Sequence, residues 1–379
     1  MFVRFFKSWS LLFFVVIIFL IYIVGLQLDE QFVDSSWLPK RLSIPWTYNS
    51  SEEDDPLFAI LNSTEPPLNF TSGFPVNVTL LPNIFQTQPP NLNYCLPEPP
   101  NLTGPIKVFL DSPPFKQIET LYPNLEIGGH GKPQECKARH RVAIIVPYRD
   151  RESHLRIFLH NLHGFLQKQQ LDYAIFIVEQ IANQTFNRAK LMNVGFVEAN
   201  RFYDFNCMIF HDIDLLPEDD RNLYSCPEKP RHMSVAVDKF NYKLPYATIF
   251  GGVSALTKQQ YLKMNGFSND YWGWGGEDDE QSTRVSLAGF QISRYPLKIA
   301  RYKMIKHTQE SSNPINKCRY KLMRMTKRRY RTDGLSSLIG SYNVISIDRQ
   351  PLYTHILVDL LEALSKTRLR NESAQFRNC

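Results

Sequence analysis

The chain reads as an α/β domain with a mainly parallel central sheet, carried behind a single membrane-spanning helix and a stalk. Three observations predict this. An uncharged apolar stretch lies near the N-terminus, a sequon-rich segment follows it, and from Arg141 onward buried-strand patterns alternate with helical ones. Over 379 residues with 43% hydrophobic content, a sizeable core is available. The net charge of +6 is modest, and its cations concentrate in the N-terminal tip and in Lys317 to Arg331, which speaks against nucleic acid as a partner.

No charge occurs from Ser8 to Leu28, and "LLFFVVIIFLIYIVGL" is apolar throughout. As a helix that stretch is roughly 30 Å long, the thickness of a bilayer core. Arg4 and Lys7 precede it while Asp29 and Glu30 follow, so the positive-inside rule leaves residues 1–8 cytosolic, 9–28 as the anchor and the rest luminal. "QLDEQF" comes next instead of a small-residue cleavage site, which favours an uncleaved signal-anchor. Sequons at Asn49, Asn62, Asn69, Asn77, Asn101, Asn183 and Asn371 fit a luminal chain. They crowd into a Pro-, Asn- and Ser-rich region, which makes 29–94 a glycosylated stem and 95–379 the working domain.

"RVAIIVPYRDR" opens that domain's sheet with a continuous apolar run, as a strand covered on both faces does. Leu155, Phe158, Leu159, Leu162 and Leu166 then recur at helical spacing. "DYAIFIVEQ" predicts a second strand, "FNRAKLMNVGFVEAN" a second helix and "CMIFHDIDLLP" a third strand. Such a succession forms right-handed crossovers, and ligands bind beyond the carboxyl ends of the strands.

Those ends gather Arg149 and Arg151, then Phe186 and Arg188, then Asp212 and Asp214. Arginine forks suit diphosphate oxygens, and an aromatic ring can stack on a base. In an extended segment, D-x-D spacing places both carboxylates on one side, where a divalent cation bridging a nucleoside diphosphate would relieve their repulsion. A nucleotide-sugar site in a luminal domain points to a glycosyltransferase. Farther on, "YWGWGGEDDE" sets two tryptophans and three glycines against four acids. An acidic helix N-terminus after a glycine turn would account for the charge alone, but not for the aromatic surface beside it.

With "FNRAKLMNVGF", "FHDIDLLPEDD", "FGGVSAL", "NGFSNDYWGWGGEDDE" and "RYKMIKHTQ" in this order, the chain closely resembles the β-1,4-galactosyltransferase family from about Cys95 to Asp359. The resemblance implies a GT-A type nucleotide-sugar-binding fold and Mn2+ held by Asp214, Met304 and His307. It implies donor contacts at Pro147, Tyr148, Arg149, Arg151, Phe186, Arg188, Asp212, Ile213 and Lys239, with Tyr148 standing where many relatives have Phe. Trp274 resembles the tryptophan of a mobile loop that covers the UDP-sugar and meets the acceptor, and flanking glycines give it hinge freedom. Asp278 corresponds to the catalytic base, with Glu277 and Asp279 holding the two sugars. Tyr246, Tyr271 and Trp274 would offer sugar-stacking faces, and Arg319, Tyr320 and Met323 align with residues that close over a terminal N-acetylglucosamine of a glycoprotein or glycolipid. Disulfides Cys95–Cys136 and Cys207–Cys226 are likewise implied. Cys318 and Cys379 are left to pair with each other, stay free or join two chains, which leaves a homodimer or an auxiliary subunit open.

Ile249 departs from the tyrosine that galactose-transferring relatives usually carry against the donor's second carbon. A shorter apolar wall leaves room for an acetamido methyl, so the resemblance leans to the N-acetylgalactosaminyltransferase branch with UDP-GalNAc as donor. UDP-galactose is the alternative, and a silent glycan-binding protein is a second. Intact Asp214, Asp278, Met304 and His307 argue against silence. A Golgi type II membrane protein with a luminal catalytic domain is the expectation.

Overall fold

The computed structural model describes residues 84–307 and 313–379, which belong to one compact unit. The tail at 1–8, the anchor at 9–28 and the stem up to residue 83 lie outside the described residues. Among the described residues no helix is long and apolar enough to cross a membrane.

A short helix α1 (Phe115–Leu121) precedes strand β1 (Arg141–Tyr148), helix α2 (Glu152–Lys168), strand β2 (Asp172–Gln180), helix α3 (Arg188–Phe202) and strand β3 (Cys207–His211). After its first residue β1 is buried throughout, because helices cover both faces of the sheet. Val142, Ile144 and Val146 alternate onto the α2 side, where Leu155, Phe158, Leu159, Leu162 and Leu166 meet them. Ala143 and Ile145 face the opposite core with Leu191, Val194 and Phe196 of α3. Each such large apolar side chain contributes roughly 1.5–3 kcal/mol on burial.

The chain continues through β4 (Leu215–Pro217), β5 (Arg231–His232), β6 (Ala236–Val237), β7 (Val253–Thr257), α4 (Lys258–Lys263), α5 (Glu277–Leu287), β8 (Ser293–Arg294), β9 (Arg301–Met304), α6 (Arg319–Arg329), β10 (Asn343–Arg349), β11 (Thr354–Asp359) and α7 (Glu362–Glu372). The central sheet has the order β10-β11-β2-β1-β3-β7-β5-β8. Strands β11, β2, β1 and β3 are parallel, whereas β10 and β7 pair antiparallel with their neighbours. The sheet is thus mixed and parallel at its centre, as expected.

Two departures matter. The strand expected over 207–217 stops at His211: Asp212 N–H bonds Gly252 O at 3.0 Å and Leu215 N–H turns back to Asp212 O at 3.3 Å. Two carboxylates cannot lie inside a doubly covered sheet, so the chain turns at its mouth and Leu215–Pro217 joins a second sheet, β4-β9-β6. Packing also reaches back into residues read as stem. Phe85 is fully buried among Phe176, Phe202, Tyr203 and Phe205, and Ile84 N–H bonds Phe202 O at 3.0 Å.

Disulfides Cys95–Cys136 and Cys207–Cys226 are formed. Cys318 pairs with Cys379, so the start of α6 is fastened to the C-terminal residue and neither sulfur is left to join two chains.

Candidate active site

The site is built at the carboxyl ends of β1 and β3. Beyond β1, Arg149 donates from Nη1 to Gln184 O at 2.7 Å and lays its guanidinium 5.0 Å from the Phe186 ring centroid. The Tyr148 hydroxyl accepts from Arg151 N–H at 3.2 Å, and burial pushes its pKa up to about 12. Pro147 sits opposite Val178 in the β1–β2 register. These residues make one aromatic and cationic wall.

At the centre stands Arg188, the first residue of α3. Its Nε donates to Asp212 Oδ1 at 2.6 Å and its Nη1 to Asp278 Oδ1 at 2.8 Å, while Glu277 Oε1 lies 3.9 Å away. One largely buried guanidinium therefore joins the first aspartate of the D-x-D turn to the acidic start of α5. Burial pushes the Asp212 and Glu277 carboxyls well above the ordinary range; neighbouring carboxylates add to the rise and Arg188 opposes it. Burial alone would favour a neutral Arg188, but Asp212, Asp278 and Glu277 outweigh it and hold the guanidinium charged. Asp278 keeps 30% of its side chain exposed against 12% for Glu277, so Asp278 is the carboxylate that an incoming hydroxyl can reach. Glu277 Oε2 is buried without a hydrogen-bond partner, as an acceptor awaiting a ligand hydroxyl would be.

Glycines make this placement possible. A Cβ on Gly251 would lie 2.1 Å from Asp278 Oδ2. Gly276, at φ +95°, leads into α5, and a Cβ there would come within 2.8 Å of Arg319 Cβ and 3.0 Å of Tyr271 Cε1. The first turn of α5 carries Glu277, Asp278, Asp279 and Glu280, all favoured by the helix N-terminus. They divide the work. Glu280 turns inward to Arg284 at 3.0 Å, and Asp279 accepts from the Tyr246 hydroxyl at 2.8 Å.

The second D-x-D aspartate faces elsewhere. Asp214 Oδ2 lies 2.8 Å from His307 Nε2, and Ile305 N–H bonds Asp214 O at 2.7 Å. The β4–β9 register sets Met304 opposite Leu215, next to Asp214, and Met304 N–H donates to Asp238 Oδ1 at 2.9 Å. Lys239 is exposed on the adjoining turn. The Asp214 carboxylate and the His307 imidazole meet beside the end of β9, where Met304 also lies, and carboxylate, imidazole and thioether make a donor set that fits a transition metal better than magnesium. Among the described residues no three His, Cys, Asp or Glu side chains form such a group, because one position here is a methionine. The expectation that Asp212 and Asp214 share one face is corrected: the turn aims them at Arg188 and at His307.

On the side expected to meet the acceptor, Trp274 is 57% exposed and its strand-like backbone pairs with Pro314 and Asn316. Gly273 N–H bonds Phe186 O at 2.9 Å, tying this loop to the aromatic wall. Arg319 stacks 4.5 Å from the Tyr320 ring centroid, Tyr320 is 62% exposed, and Met323 is half-buried near Gly276. Tyr271 differs from expectation. At 1% exposure it lies in the core beneath the glycine turn and offers no ring face to a sugar. Ile249 is half-buried, and its carbonyl accepts from Arg294 Nη2 at 2.7 Å.

Sequence reasoning missed Arg294 and the ionic layer behind the acceptor side. Buried Arg284 pairs with Glu280 and Asp333, and buried Arg329 pairs with Asp333, Glu372 and Asp270, joining α5, α6 and α7. Arg329 belongs to the basic run Lys317 to Arg331, which the sequence shows only as concentrated charge. Within a continuous basic run, helical phase is the one signal that could have singled it out.

A mixed sheet ending in a D-x-D turn, with an arginine clamp on an acidic helix, defines a glycosyltransferase of GT-A-like fold. Residues 95–227 match the family model for the N-terminal region of glycosyl transferase group 7, and 231–308 the one described as the N-terminal domain of galactosyltransferase. Over 274 residues the chain is 52% identical to β-1,4-galactosyltransferase 3 of Bos taurus and 51% identical to that of Homo sapiens, covering 72% of this chain and 69% of each relative. The catalytic domain of Drosophila β1,4-galactosyltransferase 7, solved with xylobiose, is 32% identical with a TM-score of 0.50, covering 58% of this chain and 94% of that one. A mutant of that enzyme, solved with manganese, UDP-Gal and xylobiose, is 29% identical. The chain belongs to the β-1,4-galactosyltransferase family. These relatives carry galactosyltransferase names, so the similarity supports the family and not the N-acetylgalactosaminyl branch to which Ile249 pointed.

Proposed function

We propose that this chain is an inverting β-1,4-galactosyltransferase that moves galactose from UDP-galactose to the 4-hydroxyl of a terminal N-acetylglucosamine on glycoprotein or glycolipid glycans. The observation that carries it is the pairing of Arg188 with Asp278 and of Asp214 with His307 around one D-x-D turn, in a chain 52% identical to a named galactosyltransferase.

Asp278 takes the proton from the acceptor hydroxyl as that oxygen attacks the anomeric carbon from the face opposite the leaving diphosphate. Arg188 holds that carboxylate in place through its Nη1. Glu277, with its open Oε2, and Asp279, fixed by Tyr246, receive sugar hydroxyls. Arg149 and Arg151 face the diphosphate, Pro147, Tyr148, Phe186 and Ile213 shape the nucleotide wall, and Lys239 adds charge at its edge. Trp274, Tyr320, Arg319 and Met323 surround the acceptor, with Tyr271 as their buried support. Asp214, Met304 and His307 would hold Mn2+, which supplies positive charge to the departing diphosphate. The uncharged stretch at 9–28 supports a type II Golgi membrane enzyme with this domain in the lumen.

Ile249 favours a second reading of the donor alone, UDP-N-acetylgalactosamine. The test is transfer to a β-N-acetylglucosaminide with manganese and each donor in parallel, in the wild type and in Ile249→Tyr. Wild-type preference for UDP-galactose supports the first reading. A preference for UDP-N-acetylgalactosamine that reverses in Ile249→Tyr replaces it with the second, and no transfer from either donor overturns both.

A further inference from the structure

Helix α6 carries more positive charge than the site uses. Its sequence holds Arg319, Lys321, Arg324, Lys327, Arg328 and Arg329 and no acidic residue. Arg329 is consumed by the buried ionic layer, Arg319 by Asn316 O and the Tyr320 ring, and Lys321 by Gln375 O. Arg324, Lys327 and Arg328 are exposed, and among the described residues none of them has a carboxylate partner. At 100° per residue, Tyr320, Lys321, Arg324, Lys327 and Arg328 fall within about a third of the helix circumference, opposite buried Leu322, Thr326 and Arg329. The stripe begins at the turn where Arg319 meets Gly276 and runs about 12 Å away from it.

Cations in the last turn, Lys327 and Arg328, gain from the helix dipole. Lys321 and Arg324 do not, and the three- and four-residue spacings from Lys321 to Arg324 and from Arg324 to Lys327 and Arg328 place like charges side by side at a net cost. An anion along the stripe would relieve that repulsion. A lipid surface is disfavoured, because anionic lipids concentrate in the cytoplasmic leaflet and the anchor's flanking charges put this domain on the other side.

We propose that the exposed face of α6 is an acceptor-extension subsite for acidic glycans, binding sulfate or carboxylate groups carried by sugars behind the terminal N-acetylglucosamine. It rests on the acceptor reading above and extends it from the terminal sugar to the inner ones. Tyr320 gives an apolar face at the start of the track, and the cations follow.

The test uses the full chain in detergent with two acceptors that share a terminal N-acetylglucosamine, one neutral and one sulfated on inner sugars, in the wild type and in the triple variant Arg324→Ser, Lys327→Ser, Arg328→Ser. The sulfated acceptor should show a KM about fivefold lower than the neutral one at low salt, from several weak exposed ion pairs, and the difference should fade as salt shortens the Debye length. The triple variant should use both acceptors alike with its neutral-acceptor KM unchanged. Equal KM values in the wild type, or a preference that survives in the variant, would overturn the proposal. So would variant-sensitive binding to vesicles of phosphatidylserine without any preference for the sulfated acceptor. If neither acceptor is turned over, the acceptor reading fails, and calorimetric binding of the sulfated saccharide alone, lost or kept in the variant, still decides the subsite.

Discussion

Replacing Arg188 by glutamine removes the one cation that three carboxylates share. Removal of one partner from a buried ion pair typically costs about 3–5 kcal/mol, because the remaining charge is left uncompensated. The cleft leaves Asp212 and Asp278 28% and 30% exposed, so solvent tempers the penalty and the low end, about 3 kcal/mol, is expected. For a domain of this size that corresponds to a fall in Tm of about 5 °C. The loss should depend on pH, with a definite sign. A carboxyl whose folded pKa is raised, as for Glu277, stabilises the fold fully below its unfolded value of about 4.3, and that contribution is lost as pH rises through the folded value. Without Arg188 the folded pKa values of Asp212 and Glu277 rise further. The stability deficit of Arg188→Gln should therefore be larger at pH 8 than at pH 5. Thermal unfolding at both pH values checks this. A deficit below about 1 kcal/mol, or one equal at both pH values, would refute the clamp.

Asp278→Asn should lose almost all transfer while binding the donor nucleotide as before; substantial residual turnover removes Asp278 as the base. Gly276→Ala must hold a Cβ at φ +95° and 2.8 Å from Arg319 Cβ. A loss of about 2–4 kcal/mol is expected, with acceptor KM raised and donor affinity little changed, which unfolding and two-substrate kinetics would show. Cys318→Ser with Cys379→Ser frees the start of α6 from the C-terminus and should cost about 2–4 kcal/mol, again with the kinetic defect confined to the acceptor. An equal rise in donor KM would contradict that assignment.

Local pattern carried much of this molecule. Continuous apolar runs at 141–147 and 172–180 determined doubly covered strands, helical spacing from Leu155 to Leu166 determined α2, and the uncharged stretch at 9–28 determined the anchor reading. Asp214, Asp278, Met304 and His307 could be singled out as candidates through the motifs that contain them, because those motifs are contiguous in the chain. Tertiary structure alone decided which charges face one another. It sent Asp212 to Arg188 and Asp214 to His307 by breaking a strand at the sheet's mouth, buried Tyr271 instead of presenting it, and paired Cys318 with Cys379 across 61 residues. It also divided one basic run into buried Arg329 and exposed Arg324, Lys327 and Arg328. The physical reason is common to all of these. Hydrophobic periodicity is a property of neighbouring residues, whereas a charge takes its role from partners brought close only when distant segments pack.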